Sequence, residues 1–285
     1  MIKQGYRGSL TLGTTTGTRM PCLPGSTLSM PKNIQLPPVA HNMPFQVLWV
    51  EGLQVPVLNV AAVVTPSWFT AINLNAWLIT RLNDDLAAIA GTDDYAAWFC
   101  DGSTEAKVKF PKGNTFVIGS TQGQPITTNM MFMGTEIDEV TPVDDFTVIT
   151  EMPLNWSAVE FDAGAAPWDS EVVAWQLMFT NNAAPNPVHN ESVHPSEINA
   201  GPFIATLRLT LNEQVARPVD GTAFFIYVHK GASVVGFEVR NPVCQAPWER
   251  AIVMGRTLRQ YDYLLLGDAT GPTENDQRPI EITEP

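Results

Sequence analysis

Charge is what this 285-residue chain has least of. Asp, Glu, Lys and Arg make up 16% of it, against roughly 25% in ordinary soluble chains. A chain of this length needs a wetted surface. The shortfall therefore points to a surface wetted by uncharged Thr, Asn and Gln, or to surface covered by partners, and the two readings are compatible. Basic charge is scarcest: 16 Lys and Arg stand against 29 Asp and Glu, a formal net charge of −13. Holding DNA by neutralising its phosphates needs the opposite balance. That argues against a DNA-binding protein, but not against one past which DNA moves without adhering. Cysteine is also scarce, and Cys22, Cys100 and Cys244 are far apart and odd in number. A disulfide framework and a structural zinc site are both disfavoured. The start, Met1-Ile2-Lys3-Gln4-Gly5, has no apolar signal core, and no apolar run approaches the ~20 residues of a membrane span. A soluble protein made in a cytoplasm is expected.

Enzyme signatures are missing as well. The chain has no GxSxG, no GxxxxGK[ST], no GxGxxG after a strand and no HExxH. His189 and His194 share one segment with Glu191 and Glu197. Imidazole and carboxylate together invite a metal reading, but this spacing in a Pro-rich loop makes no recognisable site, and a solvated or interface-packed pair is the better expectation. The adjacent acids Asp84-Asp85, Asp93-Asp94 and Asp144-Asp145 read as caps and turns, because catalytic carboxylates must converge across a cleft. Trp68, Trp77, Trp98, Trp156, Trp168, Trp175 and Trp248 mostly sit in apolar β runs, which favours core over a sugar-stacking platform. No catalytic residue, cofactor or metal is assigned.

What is present is alternation. Val173, Trp175, Leu177 and Phe179 fall on one side of an extended chain. Phe203, Ala205, Leu207, Leu209 and Leu211 do the same against Ile204, Thr206, Arg208 and Thr210, so a one-residue slip would bury Arg208. Between these strands, Asn181 to Pro202 is rich in Asn, Pro, His and Ser and carries no period. Hairpin loops typically run ~2–5 residues, and long loops on a rigid sheet usually make contacts. Further strands are expected at 8–13, 45–50, 55–64, 95–100, 106–110, 115–120, 126–133, 249–258 and 260–266. A tight hairpin is expected at Gly231-Ala232. Ala71, Leu74, Leu78, Leu82, Leu86 and Ile89 recur at three and four residues, which predicts a helix over 70–90 with a core-facing Leu stripe.

The fold class expected is mainly β, with at most one packed α-helix per unit. Residues 1–45 read as an extended arm with a short strand. Residues 46–150 and 151–267 read as two β domains, the second carrying the loop 181–202. Residues 268–285 read as an acidic, flexible tail. The halves rhyme: Phe132-Met133-Gly134 echoes Val253-Met254-Gly255, and Phe116–Ser120 parallels Val234–Arg240. This fits a tandem duplication of one β unit.

The order of features resembles a known family. A Gly-rich start (Gly5-Tyr6-Arg7-Gly8-Ser9-Leu10-Thr11-Leu12-Gly13) precedes a strand pair and helix. Then come Ser120-Thr121-Gln122-Gly123-Gln124-Pro125-Ile126, Phe132-Met133-Gly134 and Leu154-Asn155-Trp156, and finally the long loop ending Glu197-Ile198-Asn199-Ala200-Gly201-Pro202-Phe203. Over most of 5–267 this resembles the tail tube proteins of long-tailed bacteriophages, in the version with two tube domains in tandem. The stretch 21–44 and the acidic tail have no counterpart in it. The resemblance implies tandem β-barrel or sandwich domains whose sheets join between subunits into stacked rings. Those rings are trimeric and pseudo-hexameric, or hexameric, and surround a channel through which DNA passes without tight binding. Partners are then the chain itself and other tail proteins, with no membrane. The place is the virion tail, after synthesis in the cytoplasm of a bacterial host.

On that reading Asn181, Asn182, Pro187, His189, His194 and Glu197 are expected to make subunit or ring contacts. Asp138, Glu139, Asp144 and Asp145 are candidates for an acidic lumen, because they cluster in sequence. Two other readings stay open: another tail, baseplate or capsid decoration protein, and a β-sandwich adhesin or carbohydrate-binding module.

Overall fold

The computed structural model describes residues 8–13, 18–30, 34–35, 50–68, 96–100, 105–109, 111–140, 147–148, 151–164, 166, 168–186, 194–199, 201–245, 249–253, 256–267 and 279–283. The fold is mainly β. The helix expected over 70–90 lies outside the described residues, and residues 66–68 just ahead of it are helical.

Numbered along the chain, the first half supplies β1 (Ser9–Gly13), β2 (Thr18–Pro21), β3 (Thr27–Ser29), β4 (Ile34–Gln35), β5 (Val50–Glu51) and β6 (Val57–Val63). It continues with β7 (Ala96–Cys100), β8 (Glu105–Lys109), β9 (Lys112–Thr121), β10 (Thr127–Met133), β11 (Glu136–Val140) and β12 (Thr147–Val148). The second half supplies β13 (Val159–Asp162), β14 (Val172–Thr180), β15 (Ala184–Asn186), β16 (Glu197–Asn199), β17 (Ile204–Asn212) and β18 (Phe224–Lys230). After these come β19 (Ser233–Val239), β20 (Pro242–Cys244), β21 (Glu249–Val253), β22 (Arg256–Leu265) and β23 (Ile280–Thr283).

Both halves feed one nine-stranded antiparallel sheet, in the order β20-β22-β17-β14-β9-β10-β6-β3, with β21 also on β22. The halves meet where β9 pairs with β14, from Thr121↔Ala174 to Thr115↔Thr180. Strand order then reveals a repeat. In the first half the main sheet reads β3-β6-β10-β9. In the second it reads β14-β17-β22, with β20 and β21 sharing the last place. Each half thus orders its main strands first, second, fourth, third. The outer layers match too: β1-β7-β8-β11 in one half and β13-β18-β19-β23 in the other. The correspondence sets β10 against β22 and β9 against β20 with β21. The echo between Phe132-Met133-Gly134 and Val253-Met254-Gly255 is therefore not the repeat's true register, since Val253 ends β21 rather than β22.

One continuous core lies between the main sheet and the outer layers. Alternation supplies it, as expected for half-buried strands. Leu58, Ile118, Leu177, Leu207 and Tyr263 turn inward from successive main strands, while Val108, Ile226 and Phe237 come down from the outer layers. Aromatic rings tie the pieces together. Phe116 of β9 stacks on Phe179 of β14 at 5.7 Å between centroids, and Phe161 of β13 meets Trp175 edge-on at 6.2 Å.

Several expectations shift. A bulge between Val172 and Ala174 turns Val172 into the core in place of Val173. Phe203 lies just outside β17 and stacks on Phe179 at 6.0 Å. The loop 181–202 is not wholly irregular, because β15 and β16 pair within it. The presumed tail ends in order: β23 pairs with β19 and buries Ile280 and Ile282. Four residues are too few for periodicity to betray such a strand.

The joint between halves is tight at Gly119, paired with Gln176. A Cβ there would collide with the Trp175 carbonyl oxygen and sit 3.0 Å from Gln176 Cα. Gly119→Ala should therefore cost about 1–3 kcal/mol, read as a lower urea midpoint. A second test concerns Glu151, between the halves, whose carboxylate accepts from Ser67 N–H at 2.7 Å and from Ser67 Oγ at 2.5 Å. The Ser67 hydroxyl, then its N–H, holds the Glu151 carboxyl below its ordinary value. Its stabilisation is thus complete above the free-carboxylate range and fades as pH falls below about 4. Urea midpoints of Glu151→Gln should lack that part of the acid-side decline seen in the wild type.

Candidate self-assembly surfaces

Among the described residues three features stand at the border of the fold: two sheet edges, a pair of hairpin arms, and one face of the main sheet. At one edge, β3 is continued toward its start by a bridge from Cys22 to Ala62 and by Leu23 N–H donating to Ala61 O at 2.6 Å. The turn at Pro24 and Gly25 interrupts this edge. At the other edge β20 and β21 together cover β22. Among the described residues neither edge has a strand on its outer side. Short, broken edge strands are how a sheet limits indiscriminate pairing. The edges are unlike each other, and each corresponds through the repeat to one side of the β9–β14 joint.

Each half also carries a two-stranded arm between its first and second main strands. In the first half it is β4 with β5, Ile34↔Glu51 and Gln35↔Val50. In the second it is β15 with β16, Ala184↔Asn199 to Asn186↔Glu197. The stretch 21–44, without counterpart in the resemblance, thus contributes β4, one strand of the arm that corresponds to the later one. The root of the second arm is locked to β9. Asn181 N–H donates to Asn114 O at 2.8 Å, Asn181 Nδ2 to Gly113 O at 3.3 Å, and Ala183 N–H to Asn114 Oδ1 at 2.8 Å. Gly201 N–H returns to Asn181 O at 2.9 Å, and a Cβ on Gly201 would press on Asn182 O. Asn182 itself takes φ 47°, a left-handed conformation that Asn tolerates, and its Nδ2 donates to Pro202 O at 2.8 Å.

The third feature is the bare face of the main sheet, opposite the core. Hollows of about 390 and 280 Å3 open on it. Gly119, Asn129, Gln176, Arg208 and Gln260 line the first; Gly25, Asn59, Thr115 and Met131 line part of the second. The face is therefore concave, and the first hollow straddles the joint. Arg208 and Asp262 stand on it as a two-pronged ion pair, Nε–Oδ1 2.7 Å and Nη2–Oδ2 3.3 Å.

Of the residues expected at contacts, Asn181 is buried in the arm root rather than offered to a partner, because it serves β9. Asn182 also shapes the root. Glu197 opposes Asn186 on the arm, and His194 is half-buried just before β16. Pro187 and His189 lie outside the described residues, as do Asp144 and Asp145. Asp138 and Glu139 stand on β11 in the outer layer, not on the concave face. Asp138 is paired with Lys109 at 2.8 Å. Asn114 escaped the sequence reading; the only signal was an Asn next to a Gly ahead of a strand.

Among the described residues no group of three or more His, Cys, Asp and Glu side chains could hold a metal ion, and no helix is long and apolar enough to cross a membrane. The chain matches no protein-family model and no curated protein.

Removing the Asn114 side chain should strand the Ala183 N–H. Asn114→Ala is expected to cost about 1–3 kcal/mol locally and to speed proteolysis within 184–199, with the rest of the chain still protected.

Proposed function

We propose that this chain is a structural subunit that joins head to tail with copies of itself into rings, and that the rings stack as the tail tube of a long-tailed phage. The single observation that carries the reading is the β9–β14 joint between two halves of equal topology. That joint is a worked example of how one unit's last main strand meets the next unit's first. The outer sides of β20 with β21 and of β3 correspond to the same two sides, left open. A heterologous contact of that kind repeats, and closes into a ring when the rotation per copy divides a full turn. Closure pairs both edges of the main sheet at once. Two units per chain make a trimer six-fold in its strands, the arrangement the resemblance implies. The concave face then turns inward and bounds a channel, and the paired arms are the segments that would reach neighbouring copies. The low content of charge suits a subunit whose surface is largely shared.

Negative-stain images of the purified protein should show rings or tubes, and light scattering should show masses that are multiples of 31.2 kDa. A compact monomer at high concentration would overturn the proposal. Sugar affinity of that monomer on a glycan array would point to an adhesin instead.

A further inference from the structure

We infer that the bare concave face of the main sheet is a charge-poor wall past which duplex DNA slides, rather than an acidic one. This rests on the ring reading above, and it concerns how the channel treats its cargo.

The net charge of the chain is −13, yet among the described residues most of the ion-paired acids lie away from this face. Glu136 and Asp138 pair with Lys109, Glu160 with His229, and Glu238 and Glu281 with Arg240, all in the outer layers. Glu105 is buried against Arg19, also in the outer layer. Glu213 pairs with Arg250 and Arg259 beyond the end of β17. On the bare face, register puts Asn129 opposite Val117, Gln176 opposite Gly119 and Arg208, and Thr210 opposite Ala174 and Gln260. Among the described side chains on or bordering this face the charged ones are Lys112, Glu171, which accepts from Asn212 Nδ2 at 3.3 Å at the end of β17, Arg208 and Asp262. The last two neutralise each other at 2.7 Å.

The consequence follows from counterion physics. Every cation placed against phosphates releases condensed counterions and tightens the hold on DNA, with log K falling by about 0.9 per contact for each tenfold rise in salt. An acidic wall does the reverse and raises the cost of entry. Amide and hydroxyl groups do neither. They keep a water layer whose hydrogen bonds exchange freely with the passing duplex. Another protein is a poorer occupant, because the centre of a protein interface is enriched in aromatic groups, and across the joint this face sets Thr115, Asn129, Gln176 and Thr210 among aliphatic Val117, Met131 and Met178, with no aromatic ring among them.

The test uses assembled tubes and a fluorescent duplex of about 20 base pairs in low salt, a length that offers many phosphates to any cation it meets. Wild-type tubes should leave its anisotropy unchanged. Tubes carrying Gln176→Lys and Thr210→Lys should keep their diameter in micrographs and bind the duplex at least about tenfold more tightly, with a steep salt dependence. Glu160→Lys, in the outer layer, should not reproduce that gain. In Thr210→Cys tubes the new thiol should react with a small maleimide. Three results would overturn the wall: wild-type tubes that hold the duplex, an equal gain from Glu160→Lys, or a Thr210→Cys thiol shielded from the reagent. Each of these leaves the ring reading standing. Absence of tubes from the wild type would instead sink the ring reading and the wall with it.

Discussion

Backbone pairing between β9 and β14 is the constraint on which the rest of the structure depends. It fuses two units into one sheet, fixes how their concave faces align, and commits the outward sides of the remaining edge strands to a defined polarity. Strand pairing of this kind is specified by register, and register is held because one face is buried. Phe116 against Phe179 and Ile118 beside Leu177 allow a single alignment. Sliding β14 by one residue would drive Gln176 and Met178 into the core and bring the aromatics to water.

The arms draw on the same constraint. Because the root of the second arm hydrogen-bonds to Asn114 and Gly113 of β9, its direction is set by the first unit as well as the second. An arm anchored across a joint moves only if the joint moves. The described part of the arm is therefore placed relative to the sheet.

Much of the main sheet was legible from alternation alone. The inward sets of β14 and β17, the hairpin between β18 and β19, and the strands β6, β9 and β10 follow from period-two burial. What escaped was short or non-local. β4, β5, β15 and β16 have two or three residues each, too few for any period. β23 is isolated from its partner β19 in sequence, and only Ile280 and Ile282 mark it. Neither the echo of Phe132-Met133-Gly134 in Val253-Met254-Gly255 nor the parallel of Phe116–Ser120 with Val234–Arg240 follows the repeat, which strand order, invisible in the sequence, carries. Asp138 and Glu139 show the same limit: nearness along the chain says little about which sheet carries a residue, and both stand on β11 of the outer layer.

The two units also differ in how their outer layers are finished. In the first, β11 follows β10 after Gly134 and Thr135, so the fourth strand arrives at once. In the second, β22 ends at Leu265 and β23 starts only at Ile280. Loop closure over a longer span is slower and entropically dearer. During synthesis the amino-terminal unit can therefore complete its sandwich while its twin still lacks a wall, so the two halves of one sheet mature in sequence.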